Sequence, residues 1–270
     1  MALIGERWGI FPRLKQWVSE GRPIWGTCAG MILLSDNALM AKKGGQSLVG
    51  GLNVEICRNY FGAQKSSFEV PLDTSKLKLE AMGKKSGATA ATGLGPYPAV
   101  FIRAPAVLEV GPGVDILCKV QARPCNKAVT VMRAQLAAEE EQELEGEEGS
   151  TASKVGNHDA DNDESTPAGK RRRLASFFAD PPAGAGAGAA VGDSDRDAPE
   201  VVVALRKGNI VGTAFHPELT NDSRWHEYFV RIVREAVAEP IELAGAAIAA
   251  ATGTGVKASA SSSAVEAVVA

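Results

Sequence analysis

The chain has 270 residues, 45% of them hydrophobic, and a formal net charge of -3. That is long enough for one sizeable core or two small ones, and nothing in the overall charge draws it to nucleic acid or to an anionic membrane surface. Its four cysteines (Cys28, Cys57, Cys118, Cys125) have neither CxxC spacing nor the density of a secreted disulfide scaffold, and they read as free thiols in a reducing, cytoplasmic compartment. No stretch approaches the ~20 apolar residues of a membrane span, and the N-terminus lacks the apolar core of a secretory signal.

Residues 13–19 read as a helix with Pro12 at its first position and Leu14, Trp17 and Val18 on one face. Ile24 to Thr27 is a short strand and Met31 to Leu34 open a helix, so Cys28 falls on a strand-to-helix junction. Further strands are expected at Leu48 to Ile56, Ala99 to Ile102, Val114 to Val120, Val201 to Leu205 and Ile210 to Phe215, the last two joined by a hairpin at Lys207-Gly208-Asn209. From residue 134 to 199 an acidic run passes into a Ser/Asp/Gly/Ala/Pro tract too polar to offset its chain entropy, and it is expected to be disordered. Within it, GKRRRLAS (169–176) puts Lys170 to Arg173 before Ser176, a pattern open to three readings: a nuclear-import patch, a kinase site or a solvated charge cluster. A last helix follows Thr220-Asn221-Asp222, with Trp225, Phe229, Ile232, Val233 and Ala236 at helical spacing, and the Ala/Ser-rich residues 241–270 read as a disordered tail. The folded part therefore comes in two pieces, 1–133 and 200–240, of α/β class.

Gly26-Thr27-Cys28-Ala29-Gly30 has the small neighbours that a nucleophile on a sharp turn requires. There a helix N-terminus favours thiolate, and the Ala29 N–H points toward a developing oxyanion. Against this, G-x-C-x-G alone is a weak pattern, and cysteine is often simply buried. A thiol nucleophile needs a base, and the histidines are His158 in the insertion, His216 after a strand and His226 on the last helix. In "TAFHPEL" Glu218 lies two residues beyond His216 and projects to the same side in extended backbone, while Pro217 stiffens the pair. His226, between Trp225 and Phe229, reads as a packing residue. Scattered cysteines and two folded histidines offer no metal cluster, and Gly44-Gly45 lacks the Lys-Ser/Thr of a phosphate loop, so no metal or cofactor is expected.

The elbow "GTCAGMILLS" with the distant "FHPE" resembles the Cys-His-Glu arrangement of the class I, triad-type glutamine amidotransferases, whose three-layer, flavodoxin-like sheet carries helices on both faces. Within that group, "RNYFGAQKSSFE" (58–69), "FIRAPAV" (101–107) and "TAFHPELTNDSRWHEYFV" (213–230) resemble the glutaminase subunits of pyridoxal 5'-phosphate synthase, plant and algal forms above all. The likeness spans about residues 1–120 and 200–237. It implies Cys28 as nucleophile, His216 as general base and acid, and Glu218 as its orienting partner, with Ala29 in the oxyanion hole and Arg58, Ile102 and Arg103 contacting substrate. L-glutamine would be the substrate and the synthase subunit the partner, the pyridoxal product being made and held there.

Members of that family begin with strands ending in a "PGGES" segment that supplies a second oxyanion donor, a segment not found within residues 1–270. The resemblance therefore implies a sheet with an open edge at Ile24 to Thr27 and a hole with the Ala29 donor alone. Two other readings remain open from sequence: a docking partner of the synthase that hydrolyses nothing, and an unrelated cysteine hydrolase.

Overall fold

The computed structural model describes residues 2–39, 46–62, 67–79, 95–147, 167–177 and 198–252. Gly44-Gly45, His158, residues 63–66 of the RNYFGAQKSSFE block, most of the expected insertion and the tail beyond Thr252 lie outside the described residues. Two short helices, α1 (Ala2–Arg7) and α2 (Ile10–Ser19), lead into β1 (Ile24–Thr27), α3 (Ala29–Leu34), β2 (Asn37–Leu39), β3 (Val54–Cys57) and β4 (Phe68–Leu72). Then follow β5 (Tyr97–Phe101), β6 (Ala106–Val110), β7 (Asp115–Gln121), α4 (Asn126–Glu147), α5 (Pro167–Ser176), β8 (Glu200–Lys207), β9 (Ile210–Thr213) and α6 (Arg224–Thr252).

The fold is α/β. Its main sheet runs in the order β1-β9-β8-β6-β3-β2, with β7 also paired to β8, and β4 and β5 form a separate two-stranded ribbon. The sheet is mixed: β1 is parallel to β9 and β2 to β3, while the remaining pairings are antiparallel. β1 closes one end of the order and pairs with β9 alone, leaving an open edge among the described strands. Its register against β9 sets Ile24 against Ile210, Trp25 against Val211, Gly26 against Gly212 and Thr27 against Thr213. Two strands reading I-x-G-T thus lie side by side and end at the same level.

Glycine at positions 26 and 212 lets α3 settle close against the two strands. A Cβ on Gly212 would lie 3.1 Å from Met31 and 3.0 Å from Leu52, and one on Gly26 would lie 2.5 Å from the Gly30 carbonyl carbon. Met31 and Leu52 are fully buried in consequence. The other end of the core is aromatic: Trp225 of α6 meets Phe215 and Tyr97 edge-on, and Phe215 in turn meets Phe101. Rings placed edge to face add to the area they bury.

Several elements differ from the sequence reading. The run Leu48 to Ile56 becomes strand only from Val54, because Gly50 and Gly51 take positive φ and Leu52 turns into the core between them and β3. α2 begins at Ile10, so Pro12 is its third residue and still within the first turn, where its missing N–H costs nothing. β2, β4 and β6 were not expected. The acidic run beyond residue 134 continues helix α4 to Glu147, and α5 forms at 167–176 inside the segment expected to be disordered. α6 likewise runs to Thr252, past the expected boundary at 240. Glu, Ala and Leu are strong helix formers, so composition that argues against a core does not argue against a helix continuing from one.

The two elbow glycines are not equivalent. Gly26→Ala drives a Cβ into backbone that cannot yield and should lower the urea unfolding free energy by about 2 kcal/mol. Gly30→Ala meets nothing within 4 Å, and as a helical position it should leave the midpoint unchanged or raised.

Candidate active site

Cys28 sits between the end of β1 and the start of α3 with φ 46° and ψ -102°, a backbone conformation that an L-residue adopts only when its surroundings force it. Three contacts supply the force. The Cys28 amide donates to the Thr213 carbonyl at 2.7 Å, its carbonyl accepts from the Ile32 amide at 3.2 Å, and its Sγ lies 3.9 Å from the Ile102 carbonyl oxygen. The thiol is half-buried, whereas Ala29 is exposed at the first position of α3 with its N–H directed to the Cys28 sulfur.

Beyond Thr213 the β9 chain continues through buried Ala214 and Phe215 to His216, whose amide donates to the Val100 carbonyl at 2.9 Å. Pro217 to Leu219 form a 3-10 turn with His216 at its N-cap. That turn, rather than extended backbone, brings the carboxylate round, and His216 Nδ1 and Glu218 Oε1 are 2.7 Å apart. Burial pushes the Glu218 carboxyl up, but the hydrogen bond from His216, a backbone N–H and the nearby His216 and His226 charges outweigh it and hold it below the usual carboxylate range. The carboxylate therefore stays an acceptor for the ring N–H and fixes which imidazole nitrogen faces away from it.

The thiol behaves differently from the sequence expectation. Burial is the largest influence and raises the Cys28 pKa above the ordinary cysteine value; the Ala29 N–H and the Arg103 charge pull it down, and the Glu218 carboxylate pushes it further up. The Ala29 N–H at the start of α3 acts in the expected direction and is outweighed by burial. At neutral pH the resting group is the thiol. Cys57 and Cys118 are fully enclosed and pushed up to about 12, mainly by burial, which leaves them chemically inert.

Ile102 and Arg103 follow β5, with Arg103 exposed and at φ 48°. They abut the elbow through the Ile102 carbonyl. Arg58 lies elsewhere along the sheet: it follows β3 at the level of Pro105, its amide donating to Leu39, with β6, β8 and β9 between its strand and β1. The arrangement gathers Cys28, Ala29, Ile102, Arg103, His216 and Glu218 at one end of the β1–β9 pair.

Positioning groups not anticipated from sequence surround this cluster. Trp25 Nε1 donates to Thr213 Oγ1 at 3.2 Å, and the Trp25 ring meets His226 and Phe229 of α6, His226 doing so from an exposed position rather than as a buried packing residue. Arg224 is 8% exposed in its side chain and forks onto the Asp222 carboxylate while also donating to Thr74 Oγ1 and the Gly95 carbonyl. Thr220 Oγ1 and Tyr97 Oη are 2.9 Å apart. These contacts fasten the start of β5, the segment after β4 and the turn after His216 to the start of α6. The "TNDSR" spacing signalled a helix cap; that the same arginine reaches back across the fold to Thr74 and Gly95 was not encoded locally. Among the described residues no three His, Cys, Asp or Glu side chains converge as a metal site, and no helix is long and apolar enough to cross a membrane.

The α/β chain thus combines a strained cysteine at a strand-to-helix elbow with a histidine–carboxylate pair just beyond the end of the neighbouring strand. Residues 1–140 match the SNO glutamine amidotransferase family. Over 237 residues the chain is 35% identical to the "Probable pyridoxal 5'-phosphate synthase subunit PDX2" of Arabidopsis thaliana, covering 87% of this chain and 67% of that protein. It is 33% identical to the corresponding "subunit pdx2" of Dictyostelium discoideum over 83% of this chain and 61% of that one, and 31% identical to "Pyridoxal 5'-phosphate synthase subunit PdxT" of an Arthrobacter strain over 82% and 66%. A solved "glutamine amidotransferase" superposes with a TM-score of 0.46 at 23% identity, over 86% of this chain and 72% of that chain. The chain is a member of the SNO glutamine amidotransferase family, and it spans about two-thirds of the length of the curated relatives it matches.

Two measurements test the site's electrostatics and its fastening. The pH dependence of Cys28 alkylation by iodoacetamide should give a midpoint above the ordinary cysteine value; Glu218→Gln should move it down, since the carboxylate repels the thiolate, and Arg103→Ala should move it up. Arg224→Met strips partners from Asp222, Thr74 and Gly95 at once and should cost about 2 kcal/mol in urea unfolding.

Proposed function

We propose that this chain is a glutaminase that hydrolyses the side-chain amide of L-glutamine and hands the ammonia to the synthase subunit of pyridoxal 5'-phosphate synthase. The observation that carries the reading is the register of β1 on β9, which ties the Cys28 amide to Thr213 and sends the His216–Glu218 pair out from the same end of the strands.

In this reading His216, held by Glu218, takes the Cys28 proton, and the thiolate attacks the amide carbon of glutamine. The Ala29 N–H donates to the oxyanion of the tetrahedral intermediate. His216 then gives its proton to the leaving ammonia, and a water deprotonated by the same ring hydrolyses the γ-glutamyl thioester to glutamate. Arg103, with the Ile102 backbone, lines the approach to the thiol. Arg58 is assigned to the glutamine carboxylate on family resemblance, a guanidinium being the group that pairs bidentately with it. The raised thiol pKa fits this division of labour, because a nucleophile that rests protonated depends on its base.

The test is glutamate and ammonia release from glutamine, with a purified plant-type synthase subunit added. Cys28→Ala should abolish turnover, and His216→Ala should lower kcat by about 100- to 10,000-fold. Glu218→Gln should lower kcat with KM little changed, the signature of a group that orients the base without touching substrate. If the unaltered chain and Cys28→Ala release ammonia equally slowly while both still bind the synthase, the chain is a docking partner and not a glutaminase.

A further inference from the structure

Helix α5 lies outside the machinery described above and carries the one motif that the activity leaves unused. Of its last four residues and the one that follows, Leu174 and Phe177 are buried, 3% and 5% exposed, whereas Ser176 between them is exposed. Phe177 meets the fully buried Tyr60 edge-on at 6.3 Å, and Tyr60 is anchored by its hydroxyl to the Ala122 carbonyl. Ser176 Oγ donates to the Arg173 carbonyl at 2.7 Å, and the Phe177 amide to that of Leu174 at 3.3 Å, closing the helix. In sequence, Lys170-Arg171-Arg172-Arg173 places four consecutive cations three to six residues before this serine, and no other serine of the chain follows such a run.

We propose that Ser176 is a phosphoacceptor for a basophilic protein kinase, and that docking of α5, with Leu174 buried and the following Phe177 against Tyr60, governs access to it. A kinase whose acceptor groove is lined with carboxylates complements arginines on the N-terminal side of the serine, since guanidinium and carboxylate pair bidentately. Transfer also requires the hydroxyl in line with the γ-phosphate, so the acceptor segment must unwind to enter the groove. A ten-residue helix containing Gly169 is marginal by itself. Its helical state therefore rests on tertiary packing, to which the buried Leu174 and the adjoining Phe177 contribute, and there are two populations: a docked helix that the kinase cannot use and a released segment that it can.

In the released state Ser176 Oγ attacks the γ-phosphorus of ATP. The Oγ–P bond forms, the bond from that phosphorus to the β,γ-bridging oxygen breaks, ADP leaves, and the hydroxyl proton passes to the catalytic aspartate of the kinase. The oxygen, now an ester, can no longer donate to Arg173, and close to two negative charges stand on the final residue of the helix, at the negative end of its dipole. Modification thus opposes re-docking and leaves the Tyr60 face uncovered.

The full chain and a peptide of residues 167–180 are incubated with the catalytic subunit of cAMP-dependent kinase and Mg-ATP, and phosphate is mapped by fragment-ion mass spectrometry. The expected result is one phosphoryl group on Ser176, absent from Ser176→Ala, appearing in the chain roughly tenfold more slowly than in the peptide because only the released fraction reacts. Phe177→Ala in the full chain should recover most of that difference. Should that variant not fold, hydrogen exchange at the Phe177 amide is read before and after phosphorylation, with roughly tenfold faster exchange expected in the modified chain. Peptide modification without modification of the chain overturns the proposal. So do equal rates in chain and peptide, a folded Phe177→Ala chain that reacts no faster, or exchange unchanged by the phosphate.

Discussion

The parallel pairing of β1 with β9 is the constraint from which the rest of the site follows. Two strands far apart in sequence lie in a register that aligns Gly26 with Gly212 and Thr27 with Thr213, and each ends there. Beyond that point one chain turns into a helix and the other runs on to His216. Because the Cys28 amide is hydrogen-bonded to Thr213, the elbow and the histidine segment are joined through one backbone contact as well as through the sheet. A slip of one residue would turn the side chains of β1 to the opposite face, and the packing of α3 against the two glycines forbids it.

Strain and burial act together on the cysteine. The positive φ lifts its side chain out of the strand direction, and the surroundings that enforce this conformation also remove water from the sulfur. Exclusion of water suppresses the thiolate while strengthening the electrostatic interactions around it. Glu218 contributes with opposite signs to its two neighbours: its charge holds the ring of His216 by a short hydrogen bond and disfavours charge on Cys28.

The elbow position of Cys28 and the pairing of His216 with Glu218 were legible in the sequence because each lies in a short run whose local chemistry is distinctive. Their framework was less so. The repeated I-x-G-T of residues 24–27 and 210–213 is visible in retrospect, yet pairing between strands so distant is a tertiary fact that local periodicity does not contain. Glu218 is the neighbour of the His216 ring that its spacing implies, reached not through extended backbone but through the 3-10 turn that Pro217 opens. The fork of Arg224 onto Asp222 could be anticipated from their spacing, whereas its reach to Thr74 and Gly95 could not. Helix α4 is absent from the sequence reading, which starts a disordered segment at residue 134 on charge density; the buried Ala128 and Met132 anchor a helix that good formers then extend.

Strand β7 ends at Gln121 directly opposite Glu200, the first residue of β8. The chain between them leaves the sheet and returns to it at adjacent backbone positions, so topologically the whole excursion is the loop of one hairpin. Closure entropy rises only with the logarithm of loop length, and an evolving gene could lengthen or rewrite this stretch with little penalty to the sheet. The junction is therefore a natural port for grafting: a folded module whose termini lie close together could be spliced between residues 147 and 167 with the thiol end of the sheet left untouched.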